Sequence, residues 1–106
     1  MCRWISRKSN FLRRRKMEVD VYDTYARGSN GGVIHFDVLV PKGTTADKAF
    51  AWGREWLVSI GEKAESLEQR HCRFCHTERA RGNVEKDIAA QGYHILQMEG
   101  CPDPVV

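Results

Sequence analysis

The chain is predicted to fold as a two-layer α+β domain: a mixed sheet of three to four strands, in β-β-α-β-α-β order, with two helices. Three observations predict it. Two segments of largely period-two alternation, rich in β-branched and aromatic residues, flank a glycine-asparagine cluster. A stripe of apolar residues at helical spacing follows, and a shorter helix-then-strand pattern closes the chain. Strands and helices in that order build one sheet covered by helices, and 106 residues suffice for one such domain but not two.

The first strand is read from Glu18 to Tyr25 and the second over 33–40, ended by Pro41, which cannot donate to a ladder. Between them Gly28-Ser29-Asn30-Gly31-Gly32 is a turn, because glycine and asparagine reach positive φ at low cost. The two strands should form a hairpin whose loop is too long to fix the register alone. The hydrophobic pattern favours pairing Tyr25 with Gly32. That sets Val21 opposite Phe36 and Val19 opposite Val38, and places Val19 and Val21 on one core face with Ile34, Phe36, Val38 and Val40. The other face would carry Asp20, Tyr22, His35 and Asp37, with Asp20 opposite Asp37, an unfavourable like-charge pair.

Thr44 is the expected N-cap of the first helix, with Asp47 at N3 in a variant of the capping box. Ala46, Ala49, Phe50, Gly53, Leu57 and Ile60 would face the sheet, and Gly61 would end the helix. A short strand is expected within 67–74. A second helix over 83–91 would be capped by Asn83 and stopped by Gly92, and a last strand would run over 93–98.

Charge divides the chain unevenly. Residues 1–16 hold seven Lys and Arg and no acid, whereas from Met17 onward ten basic residues face fourteen acidic ones, a balance of −4. The folded part is therefore acidic, which disfavours a nucleic-acid face built from basic and stacking residues. The basic stretch is expected to be a disordered extension or to precede the native start. Its apolar residues are scattered among charges and do not form the ~7–15-residue apolar run of a secretory signal. No apolar run reaches the ~18 residues of a spanning helix. The expected setting is the cytoplasm, with no membrane partner. The domain is placed at 17–102, with 103–106 as a tail.

In a reducing compartment disulfides are rare, so the cysteines read as metal ligands, reactive thiols or packing. His71, Cys72, Cys75 and His76 fall within a few residues, and Cys101 follows later. A two-residue spacing on a tight turn can aim two sulfurs at one zinc ion, which wants four N or S ligands. Cys101 could be the third ligand, and His71 or His76 the fourth. The alternative is a redox pair, Cys72 with Cys75, its thiol activated by nearby Arg70 and Arg73; but no long helix clearly follows the motif, as thioredoxin-like chemistry requires. Cys72-x-x-Cys75-His76 also matches a c-type haem attachment pattern, whose chemistry needs export. The bland reading is that the cysteines are small buried hydrophobes. Asp20, Tyr22, His35 and Asp37 form a second constellation, for which a solvated sheet face with one His–Asp pair is the bland reading.

Three segments carry a resemblance. Val19-Asp20-Val21-Tyr22-Asp23-Thr24-Tyr25 with His35-Phe36-Asp37-Val38-Leu39-Val40-Pro41, then Cys72-Arg73-Phe74-Cys75-His76-Thr77-Glu78, then Met98-Glu99-Gly100-Cys101-Pro102, resemble a small bacterial family catalogued as a domain of unknown function. The resemblance spans about 17–102, implies a compact α+β domain that begins after residues 1–16, and implies no established activity. The functional expectation is a binding or accessory module, more in keeping with a non-enzyme. It would carry a zinc-type site of Cys72, Cys75, Cys101, His71 and His76 and serve an unidentified protein partner or small molecule.

Overall fold

The computed structural model describes residues 17–100. The basic extension, Cys101 and the 103–106 tail lie outside the described residues. The elements are β1 (Glu18–Arg27), β2 (Val33–Pro41), α1 (Ala46–Ser59), two 3-10 turns (Ala64–Ser66 and Gln69–His71), β3 (Cys72–Arg79), α2 (Gly82–Gln91) and β4 (His94–Gln97). The strands form one sheet in the order β3-β1-β2-β4. The α+β expectation and the β-β-α-β-α-β order hold. Among the described residues, no helix is long and apolar enough to cross a membrane.

Two features of the expected architecture are corrected. Every ladder is antiparallel, so the sheet is not mixed. The connection through α1 makes β2 and β3 run the same way, but β1 lies between them and no parallel pair forms. The helices also lie on opposite faces, giving a helix-sheet-helix arrangement in place of two layers. Tyr22, Ala26, Ile34, Phe36, Val38 and Val40 pack with Ala49 and Leu57 of α1, whereas Val19, Val21 and Leu39 pack with Val84 and Ile88 of α2.

This second core explains why the expected register is three residues off. Tyr25 pairs with His35, Val21 with Leu39 and Val19 with Pro41. The β2 residues expected in the core do face α1, but Val19 and Val21 point to the other side, because α2 gives them a core of their own. When both faces of a strand are buried, alternation no longer selects a single register. The hairpin turn settles it. Gly28 N–H donates to Gly32 O at 2.7 Å, Gly31 N–H to Gly28 O at 2.9 Å, and Gly32 N–H to Asn30 Oδ1 at 2.9 Å. Gly31 sits at φ 90°, in the left-handed region that glycine enters without a Cβ clash.

α1 is capped one residue later than expected. Thr45 Oγ1 accepts from Lys48 N–H at 3.2 Å, while Thr44 Oγ1 donates to Pro41 O at 2.6 Å and tightens the entry turn. Ala49, Gly53 and Leu57 form the buried stripe, and Ala46 is exposed. Gly53 lets the helix approach the sheet closely: a Cβ there would stand 3.1 Å from Leu67 Cδ2 and 3.5 Å from Val38 Cγ2. The N-cap of α2 is Arg81, with no side-chain cap bond, and not Asn83; Gly92 ends the helix at φ 97°, as expected. His94 Nδ1 bonds Asp87 Oδ2 at 2.6 Å and ties β4 to α2.

Leu39 tests the two-sided arrangement. It is 3% exposed, and only the core beneath α2 buries it. Leu39→Ala should lower unfolding free energy by about 2–5 kcal/mol in denaturant titrations. If both helices covered the α1 face, the same change would be close to neutral.

Candidate functional site

The Cys/His cluster sits on a strand. β3 takes in Cys72 to Arg79 and pairs with β1, so the motif is not on a tight turn. Strand geometry sends side chains to alternating faces and does not aim both sulfurs at one point. Cys72 lies opposite Thr24 and belongs to the α1-side core; its Sγ accepts from Thr24 Oγ1 at 3.6 Å. Burial pushes the Cys72 thiol above its ordinary value, and the Thr24 hydroxyl only partly offsets this. Cys75 is exposed and is the extra residue of a bulge, where the register shifts between Val21 and Tyr22. Next to it His76 holds Cys75 Sγ at 3.2 Å through Nδ1 and Glu78 Oε1 at 2.7 Å through Nε2. His71 is exposed in the 3-10 turn before the strand. Cys75 and His76 are thus brought together, while Cys72 faces the core.

Among the described residues, the one set of three metal-type donors whose ligand atoms lie within 4.8 Å of one another is Asp23, His35 and Asp37. The hairpin register builds it. Asp23 stands directly opposite Asp37, and Tyr25 directly opposite His35. All four occupy the α2 face, beyond the Val19, Val21 and Leu39 core that α2 covers. His35 Nε2 meets Asp23 Oδ1 at 2.6 Å. The Tyr25 ring stacks on the imidazole at 4.2 Å between centroids and 8° between planes, which fixes the ring's orientation.

Of the earlier second constellation, His35 and Asp37 remain. Asp20 and Tyr22 turn to the α1 face, where Asp20 accepts from Gly43 N–H at 3.0 Å and from Thr77 Oγ1 at 2.7 Å. The Tyr22 hydroxyl reaches Thr44 O at 3.4 Å. Asp23 takes their place, missed because the expected register ran three residues off. The signal for it lay in the turn: closing the hairpin on Gly28 to Gly32 alone brings Asp23 opposite Asp37.

Asp37 is the unusual member. It lies on an interior strand between Asp23 and Leu96 and is 8% exposed. It joins none of the ion pairs among the described residues, and its closest polar neighbour across the ladder is another carboxylate. Burial, then the Asp23 charge and hydrogen bond, raise its pKa to about 6; His35 and His76 pull the other way. The Asp23 carboxylate also raises the Tyr25 phenol, with burial adding to it. Two carboxylates and an imidazole held this closely can share a proton or ligate a cation, since like charges at short range cannot both ionise without one.

The domain of unknown function DUF2024 matches residues 17–98 of the chain. The chain is also similar to the solution NMR structure of protein NE1680 from Nitrosomonas europaea. That likeness has a TM-score of 0.71 and 42% identity, and covers 81% of this chain and all of that one. No curated protein matches.

Asp37 gives the fold a pH signature. Its carboxyl holds a proton in the folded state up to about pH 6, whereas the ordinary value is 3.8. Below the lower value both states are protonated. Between the two, the folded state binds the extra proton, so stability falls as pH rises through this window. Melting curves across it should show that fall in the wild type, and Asp37→Asn should flatten it. An unchanged slope in the variant would remove Asp37 as its source.

Proposed function

The chain belongs to the DUF2024 family, and we propose that it is a small binding module whose Asp23–His35–Asp37 set holds a divalent transition ion such as Zn2+ or Mn2+. The observation that carries this reading is the buried Asp37 carboxylate facing Asp23 across the ladder, a repulsion that a bound cation would relieve. Carboxylate oxygen and imidazole nitrogen suit such ions, and the stacked Tyr25 would hold the His35 ring against reorientation. Three protein ligands leave coordination positions for water or for a small molecule that chelates the ion. With Zn2+ or Mn2+ bound, the site would supply Lewis-acid binding of an oxygen-rich ligand.

This moves the zinc expectation from the cysteines to the carboxylates. For Cys72 and Cys75 to share an ion, β3 would have to leave its ladder with β1 and Cys72 would have to leave the core. The redox alternative has less support for the same reason, and a thiol raised by burial is a poor source of thiolate. A reducing, cytoplasmic setting belongs to this reading.

Metal titration of tag-free protein separates the two sites. Above pH 6 the wild type should bind one ion per chain, more weakly as Asp37 protonates. Asp37→Asn and His35→Ala should each weaken binding by more than the roughly 10–100-fold typical of losing an outer-shell partner, while Cys72→Ser leaves it unchanged. Loss in Cys72→Ser with retention in Asp37→Asn would return the metal to the Cys/His cluster and end the present reading.

A further inference from the structure

We propose that β3 is the interface through which two copies of the chain form a twofold dimer, with the sheet of one copy continuing into the other. Among the described residues β3 is an edge strand of eight residues, twice the length of β4 at the opposite edge. From Arg73 to Arg79 every residue is exposed, including Phe74 at 56%. An edge of this length presents a row of unpaired backbone groups that can pair with a further strand.

The sequence of β3 is complementary to itself when run antiparallel. With the twofold axis at the Cys75–His76 bond, each residue meets the one equally far from the axis. Arg73 then faces Glu78 of the second copy, and Glu78 faces the second copy's Arg73. Phe74 meets Thr77, Cys75 meets His76, and Cys72 meets Arg79. No like charges oppose each other, and two opposite-charge cross-strand pairs form.

The bulge makes this register geometrically consistent. A twofold axis normal to a sheet keeps each residue on its own face, so paired positions must share a face. Arg73 and Glu78 are five apart, and in a regular strand they would point to opposite sides. The extra residue at Cys75 changes the parity. Arg73 lies opposite Asp23 and Glu78 opposite Val19, both on the α2 face; Phe74 lies opposite Tyr22 and Thr77 opposite Asp20, both on the α1 face. The dimer thus forms two short ladders on either side of the axis, and the irregular Cys75–His76 step sits at the centre. Both copies then open their Asp23–His35–Asp37 corners on one side of a single eight-stranded sheet.

Sedimentation equilibrium of the full chain, with chelator and reductant present so that neither metal nor disulfides contribute, tests the interface. The wild type should dimerise. Arg73→Glu should weaken the dimer by about tenfold or more, because both cross-strand pairs become repulsive. The double variant Arg73→Glu/Glu78→Arg should restore it, and far-UV circular dichroism checks that each variant is folded. Amide exchange over 73–78 should slow with protein concentration in the wild type and not in Arg73→Glu. A wild type that stays monomeric would overturn the proposal, leaving bulge and charge as guards of a free edge. So would a dimer indifferent to Arg73→Glu, or a folded double variant that fails to reassociate.

Discussion

The register of β1 against β2 is the constraint from which the rest of the structure follows. β1 is an interior strand with a helix layer on each side, and its side chains are divided between them. Tyr22 and Ala26 go under α1, and Val19 and Val21 go under α2. A shift of one residue would exchange the two sets and carry the buried Asp20 away from Gly43 N–H and the buried Thr24 away from Cys72 Sγ, into the α2 core. The same register places Asp23 opposite Asp37 and Tyr25 over His35, so the candidate site is a by-product of how the hairpin closes.

Much of the fold could be read from the sequence, and the parts that could not share a physical cause. The β1–β2 hairpin, the α1 stripe and the Gly92 stop are local signals, written in periodicity and in backbone freedom, and they appear where expected. Beyond the turn pairing of Gly28 with Gly32, what the sequence concealed was tertiary. Nothing local reports that α2 crosses to the opposite face, and without that fact Val19 and Val21 look like partners of Phe36 and Val38. The site inherited the same error: His35 and Asp37 could be named in advance, whereas Asp23 required the true register.

The cysteines show how one backbone choice changes the chemistry of a motif. On a tight turn, Cys72 and Cys75 would point together. On β3, Cys72 fills a core position opposite Thr24, while Cys75 is thrown outward as the extra residue of a bulge. The strand extends to Arg79, well past the expected limit, because its partner β1 continues to Glu18 and supplies a ladder for every residue from Cys72 to Arg79 except Cys75. Backbone pairing across seven positions outweighs any local preference for a turn at Arg73-Phe74.

On the proposed reading, a proton and a cation would compete for the same pair of carboxylates. Asp37 is buried, faces Asp23 and holds a proton to about pH 6. The proton relieves the pair by neutralising Asp37, and a divalent ion held by Asp23, His35 and Asp37 would relieve it by bringing positive charge to both carboxylates. Near neutral pH the proton has left, and the folded chain bears the cost of two facing carboxylates. That cost is lowered only in part by His35, which sits on Asp23. The site is therefore least stable under the conditions in which a divalent ion would bind most strongly, so on the proposed reading metal binding and fold stability would be coupled through Asp37.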